Sequence, residues 1–396
     1  RVRSQRAGGY CILHWFWIGL LGLTAFIWFV QSIDLALGAL SIPGLQKVAP
    51  LNDASCPSVS ILFAARDEAE KLAAALDTFL ALDYPKYDVI AVNDRSEDAT
   101  ESILQSAARK DQRLKVMSIS SLPAGWLGKP HALQKAFEHS TGEWLVFTDA
   151  DVHFEPKVLR LSIALAEEKH WDHMPLLCHT KMFSVGEKIA MTFFGMAFLI
   201  GIRPWRVSDP KSGSYVGIGA FQLIRRSAYE KIGEHRRLAM EVVDDVKLGK
   251  LVKEAGCSSG IAKAGSSVSV YWHKGVRNII RGTTKNFFAT TGFSLPMVCV
   301  QILGLLLLSV MPWVVLPFVH GWSRAFAGIA VGLAICAECG VAIENGVSPL
   351  YALTHPIGAL IFGWMLARST IVTLWQGGIK WRGTFYPLEE LKRGLV

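Results

Sequence analysis

Cys11 to Val30 runs without a Lys, Arg, Asp or Glu. As a helix that stretch is long enough to cross about 30 Å of hydrocarbon. It is longer than a secretory leader and lacks the small-residue cleavage site, so it reads as a retained anchor. After Thr291 the chain turns apolar again, with candidate spans at about Leu295 to Val319, Ala325 to Ile343 and Ala352 to Trp375. Between these ends lie roughly 240 residues of ordinary soluble composition, enough for one folded domain. The expected layout is an amino-terminal tail and anchor over 1–50, a folded domain over 55–270, a basic-aromatic segment over 271–292, a membrane region over 293–376 and a tail over 377–396.

Within the folded part, the most informative stretch is Gly142 to Phe154, GEWLVFTDADVHF. Trp144 to Phe147 reads as a strand buried on both faces, and it delivers Asp149 and Asp151 at its carboxyl end. In open α/β sheets ligands bind at that end. Two acids converging there repel unless a cation lies between them, and Mg²⁺ or Mn²⁺ carrying a nucleotide diphosphate fits, because hard cations take oxygen ligands. A pair of solvated strand-end acids is the alternative.

The same arrangement recurs upstream. Pro57 to Ala65 is an apolar strand followed by Arg66-Asp67-Glu68 and a helical pattern over Ala69 to Leu80. Asp88 to Val92 is a second strand, followed at once by Asn93-Asp94-Arg95-Ser96. Asp94 suits a nucleotide's base or ribose, whereas Asp98 reads as a helix cap. Leu114 to Ser118 is a third strand, and the strand ending at Thr148 a fourth. Strands alternating with helices argue for a mostly parallel sheet covered on both faces. Neither a G-x-G-x-x-G after the first strand nor a Walker sequence is present, so phosphates must be held by metal and basic side chains. Lys129, in the loop Gly125-Trp126-Leu127-Gly128-Lys129, is the candidate cation.

Lys and Arg number 41 against 33 Asp and Glu, a formal charge of +8. Basic residues beside membrane spans point this excess at an anionic membrane surface or a phosphorylated substrate rather than nucleic acid. The seven cysteines are scattered and imply no disulfide framework. Cys336-x-x-Cys339 falls inside an apolar span and reads as packing. His170, His173 and His179 lack the partner pattern of a zinc site. Glu338 is costly in lipid and needs a partner, with His355 or Arg368 within the tail.

Taken in order, Asp67-Glu68, Asn93-Asp94-Arg95-Ser96, Gly128-Lys129 and Thr148-Asp149-Ala150-Asp151 resemble a family 2 glycosyltransferase of the GT-A fold, over about Pro57 to Phe293. The resemblance implies that Asp67, Glu68 and Asp94 hold the nucleobase and ribose, with Asp149 and Asp151 on the metal and diphosphate. A later acid takes the acceptor proton. Asp244-Asp245 stands where the family carries Glu-Asp, and the match assigns that role to Asp245. Adjacent helical residues point apart, so only one of the two serves, with a solvated helix start the alternative. Gly213 to Phe221, with Gly217 and Gly219, resembles the family's acceptor-side segment, though loop geometry would also account for the glycines. The expected cofactor is Mg²⁺ or Mn²⁺, and the expected donor a UDP-sugar.

Tyr271 to Phe288 mixes Lys274, Arg277, Arg281 and Lys285 with aromatics, as an interfacial helix on anionic headgroups does. Processive synthases of the family carry Gln-x-x-Arg-Trp here, whereas this chain has Asn278 to Gly282. That departure favours one sugar per lipid acceptor over a polymer; a transporter or scaffold with a degenerate nucleotide domain is the reading outside enzymes. Ala190 to Ile202 is a second, shorter apolar run that would lie on the membrane. Nucleotide sugars are cytosolic, which places the domain at the cytosolic face of the inner membrane. One span before it and three after would then put Arg1, Arg3, Arg6, Lys380, Arg382, Lys392 and Arg393 on the opposite side, against the positive-inside rule.

Overall fold

The computed structural model describes residues 2–396, with side chains described from His14 onward. Arg1 and the side chains of Arg3, Arg6 and Cys11 lie outside the described residues. The helices are α1 (Val2–Ser41), α2 (Ala69–Leu80), α3 (Thr100–Ala108), α4 (Gly128–Glu138), α5 (Val158–Glu168), α6 (Val185–Ile202), α7 (Arg226–Lys231) and α8 (Asp244–Glu254). They continue as α9 (Val276–Thr283), α10 (Phe287–Thr290), α11 (Leu295–Leu305), α12 (Met311–Val315), α13 (Gly321–Glu344), α14 (His355–Gln376) and α15 (Leu388–Arg393). The strands are β1 (Val59–Ala65), β2 (Tyr87–Asp94), β3 (Leu114–Ile119), β4 (Trp144–Asp149), β5 (Val152–Phe154), β6 (His173–Thr180), β7 (Gln222–Arg225), β8 (Ala262–Val270), β9 (Gly378–Trp381) and β10 (Thr384–Pro387).

The chain divides into two compact units. One holds residues 41–181, 204–272 and 373–396, and the other 1–40, 182–203 and 273–372. The first is built on an eight-stranded sheet of order β3-β2-β1-β4-β7-β6-β8-β5. Its first four strands are parallel, and the antiparallel β7 against β4 begins the mixed half. Apolar runs, not alternation, mark β1 and β4 because both faces are covered. Ile61, Phe63 and Val146 pack on one face with Leu72, Leu76 and Phe79 of α2 and Ile163 of α5. Leu62, Leu145 and Phe147 pack on the other with Leu133 and Phe137 of α4 and Leu251 of α8. In this register Ala64 pairs with Asn93's neighbour Val92 on one side and Asp149 on the other, so the acids leave the sheet along one edge.

The other unit carries most of the apolar length. Among the described residues, five helical stretches are long and apolar enough to cross a membrane: His14–Ser41, Val185–Arg206, Leu295–Val315, Gly321–Glu344 and Pro349–Gln376. The run expected at Ala190 is therefore longer than the sequence suggested. It starts at a capping box in which Ser184 and Glu187 satisfy each other's backbone N–H groups. The strands on either side of it in sequence, β6 before it and β7 and β8 after it, pair in one sheet. Glu338 pairs with His355, Oε2 to Nδ1 at 2.6 Å, both fully buried, and not with Arg368. Pro312 has no N–H for the carbonyl of Leu308, and the indole N–H of Trp28 takes that acceptor at 2.9 Å. The segment expected as one interfacial helix breaks into α9 and α10.

Residues 373–396 belong to the unit of the sheet. The tail expected over 377–396 is therefore part of the same compact unit as the folded domain.

Candidate active site

The parallel strands end in two tight turns. Asp67 and Arg95 adopt positive φ, 53° and 56°, a conformation sparsely populated by non-glycine residues. These turns fold the post-strand acids back over the sheet edge. Asp67 accepts the backbone N–H of Glu97 at 2.8 Å. Asp94 is buried, and both its oxygens are engaged by the guanidinium of Arg95, at 2.7 and 3.0 Å. Gly128 opens α4 against this carboxylate: a Cβ there would lie 2.4 Å from Asp94 Oδ2. Asp98 is a cap, accepting the N–H of Ala69 and of Thr100.

Asp149 and Asp151 each carry a lysine. Lys129 Nζ lies 2.6 Å from Asp149 Oδ1, and Lys71 Nζ lies 2.8 Å from Asp151 Oδ2. Burial would deprotonate Lys129, but Asp149, Asp244 and Asp245 outweigh it and hold its pKa above the ordinary lysine range. Glu68 is raised by burial, against the lowering effect of Arg382, with Asp151 adding to the rise. Asp149 and Asp151 offer carboxylate oxygens on the same strand end, and hard divalent cations accept such oxygens together with phosphate. The donor set fits Mg²⁺ or Mn²⁺ with the remaining ligands supplied by substrate; among the described residues no third His, Cys, Asp or Glu joins them as a ready-made cage.

Gly217 and Gly219 approach this edge from the loop before β7. Gly219 sits between the two acid groups: a Cβ on it would lie 3.0 Å from Asp149 Oδ2 and 3.1 Å from Asp245 Oδ2. Its N–H donates to Asp245 Oδ2 at 2.8 Å, and Val246 N–H donates to Oδ1 at 2.8 Å. Gly217 is required by packing, since its Cβ would stand 1.7 Å from the Asp245 carbonyl oxygen. Asp244 turns the other way. It is buried, with Oδ2 3.8 Å from His235 Nε2, and His235 Nδ1 is 2.5 Å from the Tyr229 hydroxyl. Burial raises the Asp245 carboxyl to about 6, Asp244 adds to the rise, and Lys129 opposes it. A cleft lined by Lys129, Thr148, Gly219, His235, Asp244 and Asp245 joins these groups.

The structure thus gathers Asp67, Glu68, Asp94, Lys129, Asp149, Asp151, Gly217, Gly219, Asp244 and Asp245 in one unit. Arg277, Arg281 and Lys285 belong to the other. There Arg277 and Arg281 are exposed on α9, opposite the buried Ile279 and Thr283, and Lys285 donates to Asn286 Oδ1 at 2.8 Å. Sequence reasoning misses Lys71, His235 and Arg382. Lys71 has the spacing of any helix-surface lysine, and its partner is 80 residues away.

Residues 60–233 match the family model for glycosyl transferase family 2. A beta-monoglucosyldiacylglycerol synthase from Trichormus variabilis is 28% identical over 198 residues, 43% of this chain and 42% of that protein. The chain thus matches less than half the length of that relative. A 4,4'-diaponeurosporenoate glycosyltransferase from Staphylococcus haemolyticus is 21% identical over 281 residues, 70% of each chain. Among solved structures, a mannosyltransferase from Pyrobaculum calidifontis in complex with GDP-Man and Mn²⁺ superposes with a TM-score of 0.56 at 18% identity. That similarity covers 91% of this chain and 99% of the other, and establishes a shared fold.

Proposed function

From the match of residues 60–233 to the model for glycosyl transferase family 2, we propose that this chain is a glycosyltransferase of that family, moving a single sugar from a nucleotide-diphosphate sugar, a UDP-sugar, to a hydroxyl of a membrane lipid, with inversion. One observation carries the reading: Gly219 stands between Asp149, on the donor side, and Asp245, whose carboxyl burial raises toward neutrality. The acceptor hydroxyl enters over Gly219. Asp245 removes its proton as the oxygen attacks the anomeric carbon, and the bond from that carbon to the diphosphate oxygen breaks. One in-line displacement inverts the centre. Asp244 is the positioning residue of the pair, held against His235 and raising Asp245 by its charge.

Asp149 and Asp151 would hold Mg²⁺ or Mn²⁺, which when bound neutralises the leaving diphosphate. Lys129 and Lys71, now on those aspartates, would then be released to the phosphate oxygens. Asp67, Glu68 and Asp94 line the nucleoside end, with Asp94 acting through the orientation of Arg95. The lipid acceptor is supported by the five membrane-length helices and by relatives named for a diacylglycerol lipid and a carotenoid acid. The exposed Arg277 and Arg281, with Lys285 near them in sequence, suit an anionic headgroup layer at the cytosolic face of the inner membrane.

The test is to incubate purified full-length chain with radiolabelled nucleotide sugars and total membrane lipid, then partition the products. Label entering the organic phase as one discrete species supports the reading. Label in a long water-soluble polymer, or no transfer from any donor, overturns it.

A further inference from the structure

Residues 373–396 contribute nothing to the reaction described above, yet they are part of the catalytic unit. β9 and β10 form an antiparallel hairpin closed by two residues, Arg382 and Gly383. Both have positive φ, 48° and 79°. Two-residue hairpin turns of this hand favour Asn-Gly or Gly-Gly, because longer L side chains are strained there. An arginine at the first position is therefore an exception that calls for a contact.

The contact is with the acids that follow β1. The Arg382 guanidinium forms an ion pair with Glu68 and donates to the Asp67 carbonyl at 3.4 Å. Its side chain stays 41% exposed. The Lys71 N–H donates to the Glu68 carbonyl at 3.1 Å and its Nζ reaches Asp151 at 2.8 Å, so Arg382 stands at the start of the helix whose lysine pairs with Asp151. Three acids, Glu68, Asp149 and Asp151, thus each carry one cation.

The hairpin has other anchors. Leu391 is fully buried, and Ile379, Tyr386 and Leu388 nearly so. Leu388 N–H donates to the Gly377 carbonyl at 2.9 Å. Val396 N–H donates to Glu241, and Lys247 donates to the Val396 carbonyl. With the segment held at this far end, the turn arginine is spare for a ligand. A guanidinium presents a planar fork of donors that matches phosphate bidentately.

Resting on the donor reading above, we propose that Arg382 is a donor-binding residue, which exchanges Glu68 for the diphosphate of the nucleotide sugar, so that the hairpin completes the donor site. Charge-assisted hydrogen bonds of this kind correspond to roughly 10- to 100-fold in affinity.

The experiment is calorimetry on the purified full chain with Mn²⁺, using UDP and GDP, and the matching nucleosides measured by competition against the diphosphate. Arg382→Ala should weaken the diphosphate that binds by about 10- to 100-fold, while the nucleoside and the melting temperature stay unchanged. Arg382→Lys keeps a charge for Glu68 but not the fork, and should weaken the diphosphate by an intermediate factor; it also serves if the alanine variant does not fold. Wild-type diphosphate affinity in the variants, or equal losses for diphosphate and nucleoside, overturns the role of Arg382. A wild-type chain that binds no nucleoside diphosphate overturns the donor reading itself.

Discussion

Gly219 donates its backbone N–H to Asp245 Oδ2 at 2.8 Å, and the same α-carbon faces Asp149. A single glycine therefore separates the proposed base from the proposed metal and diphosphate group. Gly219→Ala would press a methyl against both carboxylates, which must shift by a few tenths of an ångström. The fold should survive while turnover falls about 10- to 100-fold. Gly217→Ala meets the carbonyl of Asp245 instead and should lower the melting temperature, by roughly 1–3 kcal/mol of stability. Thermal melts and transfer assays on the two variants check the contrast.

The pH profile follows from Asp245. Its carboxyl is raised to about 6, and a general base works only when deprotonated. Turnover should therefore rise with pH through about 6 and level off above. Asp244→Asn removes a charge that raises this pKa, so its acidic limb should move to lower pH. An unmoved limb would separate the profile from Asp245.

Metal removal should be decisive at Asp149 and Asp151. Thorough chelation should abolish transfer, and Mn²⁺ or Mg²⁺ should restore it. Asp151→Asn should cost about 10² to 10³ in turnover, because it removes charge stabilisation that develops in the transition state. Full activity after chelation would remove the metal from the mechanism.

The tail and the domain should be labelled from the same side of the membrane. In a cysteine-free background, Lys110→Cys on the domain and Glu389→Cys on α15 should react with an impermeant maleimide in the same vesicle orientation. Opposite labelling would mean that residues 373–396 leave the catalytic unit.

Much of this site is readable from residues alone, for a physical reason. Strands buried on both faces are unbroken apolar runs, so β1, β2 and β4 announce themselves, and the acids that end them stand out against that background. Asp67, Glu68, Asp94 and Asp149 are legible on those grounds together with their order, whereas Asp245 lies in the first turn of α8 and is reached only through the family resemblance. The mixed half of the sheet is not: β8, AKAGSSVSV, has small and polar residues, and β6 changes register against it. Long-range pairings are equally silent. Lys71 meets Asp151, and Arg382 meets Glu68 across 314 residues, with no local pattern to mark either. Span length has the same limit, since α6 is long and apolar enough to cross, but both its neighbours belong to one sheet.

The most direct measurement is donor binding and turnover of Asp245→Asn side by side, with calorimetry on the nucleotide sugar and a single-turnover assay with lipid acceptor. A base that touches the acceptor proton and not the donor should leave donor affinity within a few-fold, about 1 kcal/mol, of wild type, while turnover falls by about 10² to 10⁴. Turnover within tenfold of wild type, or donor affinity lost in step with turnover, would contradict the assignment of Asp245 as the residue that deprotonates the acceptor.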